Sequence, residues 1–320
     1  MENLKWGILG LGEIAGEFAK AMKPIGKIYA AASNTPKKLK EFLDTYEVSK
    51  GYGSYEELLE DPYVDIVYIA TINSLHYKNI IDSLNHGKHV LCEKAIWPNL
   101  NDMKAAYALA KEKGLILAEA MTIYHMPLYR KIQEIINEGR IGKLIYVHAD
   151  FGSLKDYSPE KRYFSKEQGG GAMLDIGTYA LSFVTNFLTP PFKSLNYIVD
   201  NYPTGVDSRW SIAFKSSDEV MVNVNLSFLG KLPKQGVIAG EKGYITVMNY
   251  PRAHSAEITY ASGEKEAINS GESSLALGYE IKAMEQAVRE GNENLMFTEK
   301  TLGVVELMDA LMAGAGYILK

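Results

Sequence analysis

The feature that most constrains the fold is a glycine-rich turn at the start of the chain. Residues 7–12 read Gly-Ile-Leu-Gly-Leu-Gly and directly follow the strand-like segment Leu4-Lys5-Trp6. Gly10 permits a sharp turn, Gly12 permits close approach of a phosphate to the backbone, and Ala15 permits close packing of a helix on the strand. This pattern predicts a parallel strand, a tight turn and a helix that bind a dinucleotide. The alternative is a structural turn without a ligand.

The phosphates of such a ligand would meet the start of the helix predicted from Glu13 to Met22. The first N–H groups of a helix, here including those of Glu13 and Ile14, have no partner within it. They also lie at the positive end of the helix dipole, which favours anions. Glu13 and Ile14 are therefore predicted to contact the cofactor with Gly10 and Gly12.

The order of segments predicts two domains of different architecture. Strand and helix signals alternate through the first third, which is typical of a parallel sheet covered by helices. From about residue 124 strand-like runs dominate, and residues 220–226 alternate apolar and polar side chains as in a half-covered antiparallel strand. We predict an α/β protein, with a doubly wound parallel sheet in residues 1–121 and an α+β domain with a large, open, mainly antiparallel sheet in residues 122–320. The strands predicted for the second domain are 144–151, 195–200, 210–214, 220–228, 236–239 and 244–248.

Composition excludes several classes of function. The 320 residues are 47% hydrophobic and 23% charged, which is ordinary for a globular protein. A net charge of −5 gives no basic surface for nucleic acid, and no apolar run is long enough to span a membrane. Residues 1–6 lack the zones of a signal peptide, and the single cysteine, Cys92, cannot form an internal disulfide. We therefore predict a cytoplasmic protein with a small-molecule substrate and neither nucleic-acid nor membrane partners.

The choice of dinucleotide is predicted at the end of the second strand. An acidic residue about 20 positions beyond the glycines would bind the ribose hydroxyls of NAD. Here the sequence is Ser33-Asn34-Thr35, no Asp or Glu occurs in residues 23–40, and Lys37 and Lys38 follow. A ribose phosphate would meet donors without carboxylate repulsion, so we predict NADP in preference to NAD. The alternative is that the lysines form a solvated helix face.

Three further motifs carry a family resemblance. Residues 70–76 read Ala-Thr-Ile-Asn-Ser-Leu-His and residues 86–94 read His-Gly-Lys-His-Val-Leu-Cys-Glu-Lys. Both segments leave the carboxyl ends of predicted parallel strands, where open α/β sheets bind ligands. Residues 169–179 read Gly-Gly-Gly-Ala-Met-Leu-Asp-Ile-Gly-Thr-Tyr. With the glycine turn, and in this order, these motifs resemble the Gfo/Idh/MocA family, which includes glucose-fructose oxidoreductase and inositol dehydrogenase.

The resemblance implies a Rossmann domain and an NAD(P)-dependent dehydrogenase or reductase. By position, Lys94 matches the family's active-site lysine and Asp175 its active-site aspartate. Tyr179 stands where many members carry histidine, which is similar to dimeric dihydrodiol dehydrogenases and NADP-linked xylose dehydrogenases. The further positions that the resemblance places at the cofactor are Thr71, Asn73, His76, Glu93 and Lys94. Asn73 and His76 could instead be helix caps.

The chemistry of these residues fits hydride transfer at a carbinol carbon, which requires an acid/base for the hydroxyl proton. A free tyrosine has a pKa near about 10, and a nearby lysine ammonium lowers it. We assign Tyr179 as proton donor or acceptor, with Lys94 polarising the substrate oxygen and holding Tyr179. Asp175 precedes Tyr179 by four residues, so both share a face if the stretch is helical, and Asp175 would orient Lys94 or a sugar hydroxyl. The alternatives are a helix-start residue for Asp175, a core aromatic for Tyr179 and a surface charge for Lys94.

Two departures from the family pattern carry expectations of their own. Ala95 replaces the proline after Lys94, and a cis bond before alanine costs about 2.5–4 kcal/mol. This cost favours a trans bond with a displaced Lys94, and the sequence leaves open whether the bond is cis. Tyr124 replaces an arginine, which predicts a remodelled substrate pocket. Tyr124, Phe151 and Arg162 are the candidate substrate residues, although aromatic side chains such as these also form cores.

The sequence favours an NADP-dependent oxidoreductase acting on a sugar, a polyol or a related cyclic diol. One alternative is a trans-dihydrodiol dehydrogenase rather than a sugar dehydrogenase, and another is a non-catalytic regulator that only binds the cofactor. The six histidines show no metal-ligand spacing, so no metal is predicted. An open sheet needs a partner, and we expect a homodimer or higher homo-oligomer with Val222, Val224 and Leu226 supplying apolar area.

Overall fold

The computed structural model describes residues 4–317, and the signal-peptide prediction for residues 1–3 therefore lies outside the described residues. The chain forms two compact units. Among the described residues, the first comprises 4–121 and 277–299, and the second comprises 122–276 and 300–317. The segment 277–299, which the sequence analysis assigned to the second domain, thus belongs to the first unit.

The first unit is a doubly wound parallel sheet, as predicted. Its six strands follow the order β3-β2-β1-β4-β5-β6, and all neighbouring pairs are parallel. The strands are β1 (Trp6–Leu9), β2 (Ile28–Ala32), β3 (Lys50–Tyr52), β4 (Ile66–Ile69), β5 (His89–Glu93) and β6 (Leu117–Ala120). The helices are α1 (Glu13–Met22), α2 (Pro36–Tyr46), α3 (Tyr55–Glu60), α4 (His76–Asn85), α5 (Leu100–Glu112) and the later α8 (Ala276–Glu290).

Burial of both faces of this sheet explains its apolar strands. Every residue of β1 and β4 is buried, and Phe18 of α1 stacks on Tyr68 of β4 with 3.9 Å between ring centroids. Ile281 and Met284 of α8 join the same core. The apolar face of α8 is therefore covered by the first unit. This packing explains why the helix belongs to the first unit although it comes late in the sequence.

The second unit contains an eight-stranded, mainly antiparallel sheet, also as predicted. The strand order is β14-β13-β12-β11-β7-β10-β9-β8, with a parallel pairing of β7 with β10. The strands are β7 (Leu144–Gly152), β8 (Lys193–Asn201), β9 (Asp207–Lys215), β10 (Met221–Ser227), β11 (Gln235–Gly240), β12 (Gly243–Met248), β13 (Ser255–Tyr260) and β14 (Lys265–Asn269). The helices are α6 (Pro127–Asn137), α7 (Thr178–Thr185) and α9 (Thr298–Gly314).

The two faces of β10 correct the expectation about oligomerisation. Val222, Val224 and Leu226 are each at most 1% exposed, because they point to the side of the sheet that α7 covers. Asn223 lies on the opposite face, where its amide oxygen accepts a hydrogen bond from Tyr146 at 2.8 Å. The prediction that the three apolar residues supply a subunit interface is therefore wrong. The expected homo-oligomer stays a prediction.

Two structural features bear on the predicted cytoplasmic location and the predicted lack of membrane partners. No helix within residues 4–317 is long and apolar enough to cross a membrane. Cys92 is fully buried, and burial raises the pKa of its thiol well above the ordinary value. Burial thus favours the protonated thiol, and the cytoplasmic location stays a prediction.

Candidate active site

The glycine turn between β1 and α1 has the backbone that the sequence predicts. Gly10 adopts a φ of +87°, and a Cβ there would lie 2.8 Å from the carbonyl oxygen of Ala70 at the end of β4. Gly12 is the residue before α1, and a Cβ there would meet nothing within 4 Å. The turn is thus closed on the protein side at Gly10 and open on the outer side at Gly12, which leaves room for a ligand at the start of α1.

The same turn shows one contact that the sequence reading missed. A Cβ at Gly16 would lie 2.6 Å from the hydroxyl oxygen of Tyr46, so this glycine lets α1 and α2 approach each other. A cleft of about 470 Å³ opens beside this contact, and its lining includes Gly12, Glu13 and Lys38. Three residues predicted to bind the cofactor are therefore brought to one surface.

The end of β2 offers hydrogen-bond donors and positive charge. Ser33 is buried, and its hydroxyl oxygen accepts a hydrogen bond from the backbone N–H of Thr35 at 3.2 Å. Asn34, Thr35 and Lys38 are exposed, and the first turn of α2 contains no acidic residue. The uncapped start of α2 and the Lys38 ammonium would therefore attract a phosphate on the ribose.

His76 connects the two loops that follow β4 and β5. Its side chain is fully buried, with Nδ1 2.9 Å from the carbonyl oxygen of Ala95 and Nε2 3.1 Å from that of Thr71. Burial lowers the pKa of its imidazole. Asn79 donates to the hydroxyl of Thr71 at 3.0 Å, and Asn73 lies half-buried in the intervening turn. His76 therefore positions the loops that carry Thr71 and Lys94 rather than presenting its ring to a ligand.

The segment after β5 corrects the expectation for Lys94. The peptide bond between Lys94 and Ala95 is cis, which is the less favoured of the two states that the sequence left open. Tertiary contacts fix the backbone there, since Ala95 is buried, its carbonyl faces His76, and the N–H of Ile96 donates to Glu119 at 3.0 Å. The free-energy cost of a cis bond before alanine can be estimated from the sequence, whereas these long-range contacts cannot.

Glu93 holds the backbone at Lys94 by a hydrogen bond. Its buried carboxylate accepts hydrogen bonds from the Tyr68 hydroxyl and from the backbone N–H of Lys94, the latter at 3.2 Å. Lys94 itself is half-buried. The carboxylate of Glu93 is thus engaged by the protein and orients the chain at Lys94, while its predicted contact with the cofactor stays a prediction.

Asp175 of the second unit lies in a π-helical turn, Met173–Gly177, that runs directly into α7. The turn begins where Gly171 adopts a φ of +111° and the buried carboxylate of Asp207 accepts the N–H of Met173 at 2.6 Å. A Cβ at Gly177 would lie 2.7 Å from the sulfur of Met173. The stretch from Asp175 to Tyr179 is thus helical throughout, which meets the condition under which the two side chains were expected to share a face. Single π-helical turns are frequent at functional sites.

The two candidate catalytic residues of this unit have definite neighbours. The ammonium of Lys155 lies 3.2 Å from the carboxylate of Asp175, and both side chains are less than one-fifth exposed. Tyr179 is half-buried, and its ring lies 6.2 Å from that of Phe151 between centroids. Lys155 was missed by sequence reasoning, because a loop lysine 20 positions before Asp175 carries no local signal of the contact.

The three candidate substrate residues, Tyr124, Phe151 and Arg162, lie in different environments. Phe151 is buried and Tyr124 is 7% exposed, with the Lys300 ammonium 5.8 Å from the centroid of its ring. Arg162 is exposed and donates to the hydroxyl of Tyr163 at 2.9 Å. Phe151 thus lies next to Tyr179. Within residues 4–317, no cluster of three or more His, Cys, Asp or Glu side chains could hold a metal ion.

Comparison with known sequences identifies both parts of the chain. Residues 4–121 match the oxidoreductase family with an NAD-binding Rossmann fold, and residues 129–246 match the GFO/IDH/MocA C-terminal domain. Trans-1,2-dihydrobenzene-1,2-diol dehydrogenase of Xenopus laevis is 33% identical over 251 residues, which are 77% of this chain and 76% of that protein. The Homo sapiens protein of the same name is 30% identical over 251 residues, covering 77% and 75%.

Solved structures show the same fold. KijD10, a 3-ketoreductase from Actinomadura kijaniata in complex with NADP and TDP-benzene, has a TM-score of 0.88 at 24% identity and covers 98% of both chains. Levoglucosan dehydrogenase in complex with NADH and levoglucosan has a TM-score of 0.87 at 20% identity over 98% of both chains. Taken with the matches that span both units, these findings lead to one assignment. The chain belongs to the GFO/IDH/MocA family and is an NAD(P)-binding oxidoreductase.

Proposed function

We propose that this protein transfers a hydride between NADP and the carbinol or carbonyl carbon of a sugar, a polyol or a related cyclic diol. The observation that carries the proposal is the arrangement in the second unit, where Asp175 stands in a π-helical turn just before Tyr179. Half-buried acid and phenol groups beside an aromatic ring suit proton transfer to a substrate hydroxyl. Dehydrogenase relatives at 30–33% identity support the same reaction class.

The residues of the first unit fit the cofactor. The open space at Gly12 and the uncapped start of α1 would receive the pyrophosphate on backbone N–H groups. Ser33, Asn34, Thr35 and Lys38 would hold the adenosine ribose and its phosphate. Bound NADP supplies the hydride acceptor, or in its reduced form the donor.

Proton transfer is assigned to Tyr179. In the oxidative direction the substrate CH–OH loses its hydride to the cofactor and its hydroxyl proton to the Tyr179 phenolate, and in the reductive direction the phenol returns the proton. The ammonium of Lys94 polarises the substrate oxygen and stabilises the phenolate. Asp175 orients substrate hydroxyls and is itself held by Lys155 at 3.2 Å.

A trans-dihydrodiol is the second candidate substrate. The aromatic side chain of Phe151 beside Tyr179 favours it, and so does the activity named for the relatives. The ion pair of Lys155 with Asp175 favours instead a polyhydroxylated substrate, because a paired carboxylate accepts hydrogen bonds from hydroxyl groups.

The test is NADP reduction by the purified protein with aldoses, inositols and trans-dihydrodiols. We expect turnover with at least one class, and we expect Lys94→Ala to abolish it. Lys104→Ala, a change on α5 within the same unit, is the matched control and should retain full turnover. Tight NADPH binding without turnover of any class would contradict the proposal and favour a regulator that only binds the cofactor.

The cofactor preference is tested by fluorescence titration with NADPH and NADH. We expect tighter binding of NADPH, and we expect Lys38→Gln to weaken NADPH by about three- to tenfold while leaving NADH unchanged, since the lost contact is one partly solvated charge pair. Lys40→Gln in the same helix is the control. Tighter binding of NADH by the unaltered protein would contradict the preference.

A further inference from the structure

Lys234 places a positive charge near Tyr179. Its ammonium lies 4.7 Å from the centroid of the Phe151 ring, and that ring lies 6.2 Å from the Tyr179 ring. Lys234 is an exposed residue, and its ammonium lies over a buried aromatic ring. The cation is therefore placed beside the ring that neighbours the proposed proton donor.

The loop that carries Lys234 has a defined position. A Cβ at Gly152 would lie 2.0 Å from the backbone nitrogen of Leu232, so the loop before β11 packs directly on the end of β7. The carbonyl oxygen of Lys234 also accepts a hydrogen bond from the N–H of Asn249 at 2.6 Å. These contacts fix the backbone on both sides of Lys234, so the packing of the sheet determines where the lysine lies.

Lys155 lies on the same side of this unit, but its charge is already balanced. Its ammonium pairs with Asp175 and lies 3.8 Å from the centroid of the Tyr163 ring and 4.9 Å from that of Phe228. Lys155 thus holds the catalytic carboxylate. Within residues 4–317, no ion pair to Lys234 is found, and Asp175 acts on it only at longer range.

The electrostatic surroundings of Lys234 are crowded with cations. Burial of its ammonium lowers its pKa, the Asp175 carboxylate acts in the opposite direction, and the positive charges of Lys155, Lys231 and Arg252 lower the pKa further. Because like charges held close together cost free energy, such a cluster is stabilised when an anion enters it.

We propose that the substrate carries an anionic group, a carboxylate or a phosphate, that binds to Lys234. The inference rests on the proposed function, since it describes the substrate of the same site. It narrows the substrate class to acidic derivatives of sugars or polyols, such as a sugar acid or a sugar phosphate. The reacting carbinol carbon would face Tyr179, while the anionic group would lie toward the loop before β11.

The test compares matched neutral and anionic compounds. We would measure NADP-dependent turnover of D-glucose, D-glucuronate and D-glucose 6-phosphate, and of myo-inositol with its monophosphate. Binding of each compound to the complex of protein and NADPH would be measured by calorimetry. We expect at least one anionic compound to exceed its neutral partner about tenfold in kcat/KM, because a hydrogen bond to a charged group contributes about 1.5–3 kcal/mol. Glucuronate and glucose 6-phosphate separate the carboxylate from the phosphate.

Three variants assign the effect to Lys234. Lys234→Gln should raise KM for the anionic substrate about tenfold with kcat little changed, since a binding contact is lost and the proton donor is kept. Lys234→Arg should restore most of the affinity because it keeps the charge. Lys242→Gln, an exposed lysine in the turn between β11 and β12, should match the unaltered protein.

The outcomes separate this inference from the proposed function. Equal or better turnover of the neutral compounds, unaffected by Lys234→Gln, would overturn the anionic substrate and leave the oxidoreductase intact. If no compound is turned over, the proposed function fails. The binding measured by calorimetry then tests the anionic ligand by itself. Binding of an anionic compound that weakens in Lys234→Gln would then support it, and equal binding by both proteins would overturn it.

Discussion

Replacing Tyr179 with phenylalanine is expected to lower kcat by about 10²–10⁴-fold, the usual contribution of a general acid or base. The phenyl ring keeps the shape that packs beside Phe151 and loses only the hydroxyl that exchanges a proton. Affinity for NADPH and the melting temperature should stay close to those of the unaltered protein. Steady-state kinetics and cofactor titration on the same preparation check both parts.

Controls distinguish a chemical from a structural effect at Tyr179. Tyr244→Phe removes a hydroxyl from a tyrosine that is 42% exposed on β12, and it should retain full kcat. The pH profile adds a second readout, because the limb that reports the phenol should be absent from the residual activity of Tyr179→Phe. A kcat equal to that of the unaltered protein would remove Tyr179 from the mechanism and direct attention to Lys94.

The sequence predicted the parts of the fold whose signals are local. The glycine turn and the apolar run of β4 indicated a parallel sheet, and the alternation in β10 indicated a half-covered antiparallel strand. Strands β3, β13 and β14 were missed. In β3 and β14 most side chains are exposed, so neither a continuous apolar run nor a clear two-residue period marks them.

The predictions that failed depended on long-range contacts. Alternation in β10 identified Val222, Val224 and Leu226 as one face but not as the face that α7 covers. The order of segments along the chain likewise could not show that α8 joins the core that contains Phe18 and Tyr68. Periodicity shows that a face is apolar and cannot show which element covers it.

The candidate site divides in the same way. Gly12, Lys94, Asp175 and Tyr179 could be identified from the sequence, because each occupies a set position within a motif. The supporting contacts join residues distant in sequence: Lys155 pairs with Asp175, and Asp207 accepts the N–H of Met173 at the start of the turn that carries Asp175. Supporting residues were therefore out of reach of motif reasoning, although they determine whether the named residues can act.

Gly12→Ala is expected to weaken NADPH binding by about ten- to a hundredfold without destabilising the protein. A methyl group at Gly12 would meet nothing within 4 Å, and the φ of −87° and ψ of −170° suit alanine. Folding should therefore be unaffected, or stabilised by about 0.4–1 kcal/mol through the unfolded chain. The methyl group would, however, occupy the space in which the pyrophosphate approaches the backbone, and each lost bond to a charged phosphate costs about 1.5–3 kcal/mol.

Two other glycines make this experiment decisive. Gly26, which follows α1, has ordinary backbone geometry and a nearest Cβ contact of 3.8 Å to the sulfur of Met22, so Gly26→Ala should leave both affinity and melting temperature unchanged. Gly10→Ala should lower the melting temperature, because its φ of +87° is strained for alanine and the carbonyl oxygen of Ala70 would lie only 2.8 Å from the new Cβ. Calorimetry and thermal unfolding measured on all three variants separate loss of the cofactor from loss of the fold. If Gly12→Ala bound NADPH as tightly as the unaltered protein, the open side of the turn would not be where the pyrophosphate binds, since only a ligand at that position can sense a methyl group that the protein itself does not contact.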